Sequence, residues 1–495
     1  MSLLIARIRD AVIGRQQRIT TPFGEKPLVY ADYTASGRSL DFIEDFIREQ
    51  VLPFYANTHT ETAYTGARTT ALRESARSTI RAAVNGGVND KVIFCGSGAT
   101  AAINKIIDIM NLRLPADLDQ RYQLASAIPE TERPVVFIGP YEHHSNELPW
   151  RESLCTVEVI PLDAQGAIDQ QALAAALEKH EERRHKIGSF SAASNVTGVK
   201  SDVSGITRLL KQHGALAFWD YAAAGPYVAI NMNGADPLDA IFLSPHKFVG
   251  GPGTPGVLVA KGALFQNRVP ALVGGGTVSW VNSTAHVYAT DVERREEGGT
   301  PAIVESIRAG LVFSLQQAVG TSNIAALEGE LADAALQRFS TCSNLEVLGH
   351  PTAARLPIFS LRFRHGERDP HHGFVVALLN DLFGIQVRGG CSCAGPYAHS
   401  LLGIDSDTSD HFEQAIIAGD SLMRPGWVRV NFNYFIGAEE FDYLLRAIEL
   451  VAEHGWRMLP SYAWDAAHGV WRHRRGHKTP MPSFATPGWL EQADT

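Results

Sequence analysis

Apolar residues along this chain fall into short runs, each closed by a glycine or a polar residue and followed by a stretch with helical spacing. Val92–Cys95, Pro134–Ile138, Thr156–Pro161, Gly188–Ser194, Leu216–Trp219, Ala240–Leu243 and Val257–Ala260 read as strands. Residues 101–110, 170–185 and 202–213 read as helices, the last with Ser201 or Asp202 as its cap. Strands alternating with helices predict a parallel α/β sheet. Upstream, residues 1–20 read as one amphipathic helix with apolar Leu3, Leu4, Ile8, Val12 and Ile13. Val29–Tyr33 predicts a short strand, and residues 38–52 and 69–84 predict helices. Residues 113–133 are polar and irregular, and read as an inserted loop.

The pattern changes after residue 300. A long helical region from Ile303 to Phe339 leads into a second, smaller unit. There, strands (358–363, 385–388, 427–431) alternate with helices (373–383, 439–453) around the glycine- and cysteine-rich segment Val387–Pro396. The expected division is an N-terminal helix (1–20) packing on the small domain, a large domain (21–300), a small domain (301–455) and a C-terminal extension (456–495). The extension carries Arg472, Arg474, Arg475 and Lys478 among Trp464, Trp471 and Trp489. It reads as a surface-packed or partly disordered terminus, in preference to a cover over a partner.

Composition narrows the class. The 495 residues are 45% hydrophobic and 20% charged, as in a soluble globular protein of two or three domains. A formal charge of −9 speaks against nucleic acid or an anionic membrane as the partner of the whole chain. No apolar run reaches spanning length, and the N-terminus, broken by Arg7, Arg9 and Asp10, lacks a signal-peptide core. The five cysteines are odd in number and unevenly spread, which is no disulfide framework and suits a reducing cytoplasm.

Chemistry gathers at the ends of the predicted strands, where ligands of open α/β sheets bind. Ala240–Leu243 delivers Ser244, His246 and Lys247 into a Gly/Pro-rich loop. Burial lowers an amine's pKa, as a Schiff-base lysine requires, although this stretch alone is equally compatible with a solvated loop lysine. The segment Cys95-Gly-Ser-Gly-Ala-Thr100 joins a strand to a helix, a place where free N–H groups bind anions; a plain turn is the commoner use of so short a pattern. Asp220 ends another strand, and Tyr141-Glu-His-His-Ser-Asn146 a further one. A lysine for an aldehyde, a carboxylate for a pyridinium nitrogen and a helix start for a phosphate are what pyridoxal phosphate needs.

These residues also carry a resemblance. From about Tyr30 to Val451 the chain resembles the fold-type I, class V pyridoxal-phosphate enzymes, and within them most closely the group II cysteine desulfurases and selenocysteine lyases. The matching segments are Tyr30–Ala35, Gly98-Ala-Thr100 with Ala102-Ile-Asn104, Glu142–Asn146 with Pro149-Trp150, Asn195–Gly198, Asp220, Ser244–Lys247 and Gly299–Pro301. The resemblance implies a fold-type I PLP-transferase: a large domain with a mainly parallel seven-stranded sheet flanked by helices, and a smaller α+β domain. It implies Lys247 as the Schiff-base lysine, His143 as the ring-stacking histidine and Asp220 as the partner of the ring nitrogen. Ala99, Thr100, Ser244 and His246 would hold the cofactor with Asn195, which also lies near the substrate. Thr300 would reach the phosphate of the neighbouring subunit, so a homodimer is implied.

The subclass rests on the small domain. Arg388 and Cys393 have the family's spacing for the sulfur-accepting loop, followed by Ala394 and Pro396. The resemblance makes Cys393 the nucleophile, and a nearby Arg388 would favour its thiolate; a structural turn or half of a metal site is the weaker reading, since no second cysteine pair completes a zinc site. Arg429, in Trp427–Asn431, matches the arginine that grips a substrate carboxylate through two hydrogen bonds. Two positions depart from the pattern: Ala223 stands where the family has Gln, and Cys391-Ser392 replaces His-His. The expected activity is conversion of L-cysteine to L-alanine with a persulfide on Cys393 and a sulfur-acceptor protein downstream. Alternatives on the same scaffold are a selenocysteine lyase, an epimerase or an aminotransferase; a non-catalytic partner protein is a weaker reading.

Overall fold

The computed structural model describes residues 2–58 and 60–476. Lys478 and Trp489 of the basic and aromatic tail lie outside the described residues. The apolar runs pair into a single seven-stranded sheet of β1 (Asp90–Cys95), β2 (Val135–Ile138), β3 (Thr156–Val159), β4 (Lys186–Ser191), β5 (Leu216–Asp220), β6 (Ala240–Leu243) and β7 (Gly256–Lys261). Their order is β1-β7-β6-β5-β4-β2-β3. Only β7 runs against its neighbours, so β1 to β6 share one direction and end along one edge. β2, β6 and β7 are almost continuously apolar because both their faces are covered, whereas the edge strand β3 is half exposed. Ile93, Phe242 and Leu258 pack on one side with Ile103 and Ile106 of helix α1 (Gly98–Ile109). Val92, Ile241 and Val257, one residue out of phase, face the other side with Ile206 and Leu210 of α2 (Val203–Gln212). Asp202 caps α2, its Oδ1 accepting from the Gly205 N–H at 2.9 Å.

The long helical region is two helices, α3 (Ile303–Val319) and α4 (Thr321–Ser340). Gly320, at φ +85°, breaks them. Beyond lies a four-stranded antiparallel sheet of β8 (Leu345–Val347), β9 (Ile358–Phe363), β10 (Arg388–Gly390) and β11 (Trp427–Asn431), in the order β8-β9-β11-β10. Phe359, Leu361, Val428 and Val430 pack there with α5 (His372–Phe383) and α6 (Ala438–His454). Val29–Tyr30 pairs in parallel with Ile385–Gln386 as a separate two-stranded sheet, so an early segment of the chain is stitched to the small domain, and Val29 and Ala31 join its core.

Several elements differ from the sequence reading. The N-terminal helix spans only Ser2–Asp10, and residues 18–21 form a strand paired with residues 24–27. Gly14, at φ +85°, ends any helical path, and Ile19-Thr-Thr21 is β-prone. Ile5 and Ile8 of the short helix join the core around Leu40, Ile43 and Phe435, and Arg9 Nε donates to the Phe435 carbonyl at 2.6 Å. The inserted loop holds a helix at Ala116–Tyr122. Helices at Gly395–Leu402 and Ser406–Ile417 follow the cysteine loop, and an exposed hairpin pairs residues 278–281 with 286–288.

The start of the tail is more than a surface covering. Strands β12 (Tyr462–Asp465) and β13 (Val470–His473) form a hairpin against α5. Tyr462 is 1% exposed and donates to Asp381 Oδ2 at 2.8 Å. Its ring meets Phe374 edge-on at 5.4 Å, and the Trp471 ring lies 5.4 Å from the same phenylalanine. No helix of the described residues is long and apolar enough to cross a membrane.

Candidate active site

Because β1 to β6 end along one edge, the polar residues that terminate them converge on one cavity of about 210 Å³. β1 delivers the turn into α1, β2 the His143 segment, β4 Asn195, β5 Asp220 and β6 Ser244 to Lys247. The small domain closes the cavity with Arg388, Cys393 and Arg429. Of the residues expected from sequence, Lys247, Asp220, His143, Ala99, Thr100 and Asn195 line this space, as do Ser244, His246, Arg388, Arg429 and Cys393. Thr300 does not: it is exposed, its Oγ1 accepting from Asn57 Nδ2 at 3.4 Å.

Lys247 sits in a short turn after β6. Burial draws its amine down to about 8, against the upward pull of Asp220. Burial raises the Asp220 carboxyl, while the Ala222 N–H, donating to Oδ1 at 2.7 Å, and Lys247 favour the carboxylate. His143 is pulled down to about 3 by burial, with Lys247 adding to the effect, so its ring is neutral. The Ser145 N–H donates to His143 Nδ1 at 3.1 Å, which leaves the ring proton on Nε2. Ser145 Oγ is within 2.6 Å of Thr100 Oγ1, joining this histidine to the start of α1.

The start of α1 is a shaped cradle. Gly98 has φ +54°, and a Cβ there would stand 2.9 Å from both His246 Cε1 and Ser244 Oγ. Ser244 Oγ accepts from the Ala99 N–H at 2.9 Å. The helix N-terminus, two hydroxyls and an imidazole thus surround a glycine that admits an anion closely. Lys247 and Asp220 face the same cavity, and two buried polar atoms of its wall, Thr34 Oγ1 and Arg429 Nε, have no partner. This donor set fits pyridoxal phosphate: an amine for the aldehyde, a carboxylate for the ring nitrogen, a cradle for the phosphate and a neutral ring to stack. Ala223, in the wall beside Asp220, offers no side-chain hydrogen bond to a ring oxygen.

Arg388 and Arg429 stand directly opposite in the β10–β11 pair. Like charges so placed repel. Asp32 lies between them, its Oδ1 accepting from Arg429 Nη2 at 2.8 Å and its Oδ2 from Arg388 Nε at 3.1 Å. Arg429 Nη1 also donates to the Asn195 carbonyl at 3.2 Å. Asp32 was not singled out from sequence, although it belongs to the Tyr30–Ala35 segment that was. His144 is a second omission. Its N–H donates to the Cys393 carbonyl at 2.9 Å, and its Nε2 accepts from the Gly395 N–H at 3.0 Å. The signal was the histidine pair: His143 lines the cavity, and His144 beside it clamps the cysteine loop.

That loop is a tight turn. The Ala394 N–H donates to the Cys391 carbonyl at 3.2 Å, and both central residues, Ser392 (φ +55°) and Cys393 (φ +57°), are left-handed. Paired positive φ values are the mark of a type I′ turn, which ordinarily uses Asn and Gly. Asn195 Nδ2 steadies it by donating to the Ser392 carbonyl at 2.9 Å. The turn leaves Cys393 exposed and Cys391 half-buried.

Comparisons with known proteins agree with this geometry. Residues 29–444 match the Aminotransferase class-V family profile. A probable cysteine desulfurase of Halalkalibacterium halodurans is 30% identical over 378 residues, 75% of this chain and 85% of that protein. One from Staphylococcus epidermidis is 28% identical over 395 residues, 78% and 88% of the two chains. Among solved structures, the apo cysteine desulfurase of Thermococcus onnurineus superposes with a TM-score of 0.69 at 22% identity, covering 86% of this chain and 95% of that one. Cysteine desulfurase CsdA of Escherichia coli, in an S-sulfonic acid form, gives 0.69 at 20% identity, with 91% and 98% covered.

Proposed function

Since the chain belongs to the class-V aminotransferase family and is a pyridoxal-phosphate-dependent enzyme of the cysteine desulfurase type, we propose that it converts L-cysteine to L-alanine and keeps the released sulfur as a persulfide on Cys393. The observation that carries this reading is one cavity lined at once by Lys247, Asp220, Arg429 and Cys393. Bound pyridoxal phosphate supplies an electron-withdrawing ring that accommodates negative charge at the Cα of an amino acid. Asp220 holds the proton of the ring nitrogen, and the neutral His143 ring stacks on its face. Ala99, Thr100, Ser244 and His246 hold the phosphate, with Asn195 alongside ring and substrate. Arg429, fixed by Asp32, takes the substrate carboxylate, and Arg388 adds positive charge at the mouth of the site. Lys247 Nζ removes the Cα proton and returns a proton later. Cys393 Sγ, as thiolate, attacks the substrate sulfur: the new S–S bond forms, the Cβ–S bond breaks, and its electron pair stays with the carbon skeleton, which leaves as alanine.

The same reading makes the protein a homodimer in which exposed Thr300 completes the partner's phosphate site, and makes a thiol-bearing acceptor the next carrier of the sulfur. The experiment is alanine and sulfide release from L-cysteine in the presence of a reductant. Equal amounts of both from the wild type, with Cys393→Ser losing at least about 100-fold in rate, are expected. Undiminished release by Cys393→Ser overturns Cys393 as the nucleophile; no alanine from the wild type overturns the activity.

A further inference from the structure

The cysteine loop is a wall between two cavities. Cys393, Ser392 and Arg388 line the cavity already described, and the same three residues also line a larger one, of about 1020 Å³, on the other side. Cys391 lines only this outer cavity. Its far walls come from the start of α5, with His371 and His372, and from the β12–β13 hairpin, with Trp464 and Trp471. That hairpin lies beyond residue 444, where the family match ends.

The histidine pair packs against the backbone that leads into the cysteine loop. The Gly373 N–H (3.0 Å) and Trp471 Nε1–H (3.1 Å) both donate to His371 Nδ1, so the neutral ring carries its proton on Nε2. That Nε2 is buried against the Leu422 backbone. His372 Nε2 faces the Arg424 carbonyl at 3.2 Å and must donate to it, which leaves Nδ1 as an acceptor. That Nδ1 is buried without a partner. The ring centroids lie 4.2 Å apart with the planes tilted by 31°, and a Cβ on Gly389 would come within 2.8 Å of His372 Nδ1. A glycine two residues before Cys391 therefore lets the imidazole lie against the backbone that leads into the turn.

Resting on the desulfurase reading above, we propose that Cys391 is a second sulfur carrier, taking the sulfane sulfur from Cys393 and presenting it in the outer cavity to a low-molecular-weight thiol. Residues two apart are at most about 7 Å from Cα to Cα, so thiol exchange within the turn needs no rearrangement of domains. The Cys391 thiolate attacks the terminal sulfur of the Cys393 persulfide. One S–S bond forms and one breaks, Cys393 leaves as thiolate, and it recovers the proton that Cys391 gave up. A second exchange passes the sulfur to the incoming thiol and regenerates Cys391. Neither step needs an oxidant or a reductant. The ligand's apolar part lies along Trp464 and Trp471, and the cavity has the size of small-molecule sites.

The test uses the holoenzyme with L-cysteine, followed by alkylation, proteolysis and fragment-ion mapping of the extra sulfur, with glutathione as the acceptor probe. In the wild type the extra sulfur is expected on Cys391 as well as Cys393, with glutathione persulfide as product. In Cys391→Ser, alanine still forms in the first turnover, the extra sulfur stays on Cys393, and transfer to glutathione falls about tenfold or more. His372→Ala is expected to raise the glutathione concentration needed for half-maximal transfer. Three results overturn the proposal: extra sulfur that never appears on Cys391, a Cys391–Cys393 disulfide in its place, or Cys391→Ser transferring to glutathione at the wild-type rate. Transfer to a protein thiol but not to glutathione overturns the choice of acceptor. No alanine from the wild type marks failure of the underlying reaction, and the relay falls with it.

Discussion

Lys247 departs from the ordinary chemistry of a lysine. Burial lowers its amine to about 8 from the usual 10.5, and Asp220 limits the drop. Only the neutral amine attacks an aldehyde. Uptake of pyridoxal phosphate by the apoprotein should therefore accelerate with rising pH and level off above about pH 8, followed by the growth of the cofactor's visible absorbance. Asp220→Ala removes the raising influence, so the midpoint should move to lower pH; a midpoint left near 10.5 in the wild type would contradict a buried amine. Gly98 makes a second test. Gly98→Ala places a methyl 2.9 Å from His246 and Ser244 at φ +54°. Cofactor retention should fall while circular dichroism stays that of the wild type, because the clash lies in the cradle and not in the sheet.

At the scale of elements, the buried strands of the large sheet were legible because each is covered on both faces and so reads as an uninterrupted apolar run. Asp202 was legible as a cap for the same local reason, and Asp202→Ala should cost about 1 kcal/mol in denaturant unfolding. Elements with little buried surface left little trace. The hairpin at 278–288 exposes Trp280, Val281 and Val287, so its pattern has no inside and outside to alternate. The helices after the cysteine loop did carry signals: Pro396 in the first turn, Gly403 in the left-handed region at the end, and Asp405 accepting from the Thr408 N–H at 2.8 Å. At the candidate site, residues on strand ends were readable, whereas Asp32 was not, because its role exists only where Arg388 and Arg429 meet across two strands distant in sequence.

For the molecule as a whole, the two larger sheets meet around a cavity to which both contribute, and the chain joins the small domain twice more, through Val29–Tyr30 and through the β12–β13 hairpin. Tyr462 anchors the second return, and Tyr462→Ala should cost about 3–5 kcal/mol in thermal or denaturant unfolding. A loss under 1 kcal/mol would mean that the hairpin is not part of the small domain's core. The turn at Ser392-Cys393 has a different bearing on the molecule. Left-handed backbone at two residues with side chains costs on the order of 1–2 kcal/mol each, which glycine or asparagine would largely relieve. A search for heat-resistant variants scored on folding alone will be drawn to replace the very cysteine proposed to react. Thermal hardiness and turnover are in competition at this pair of positions, and a breeder of this protein must select for both at once.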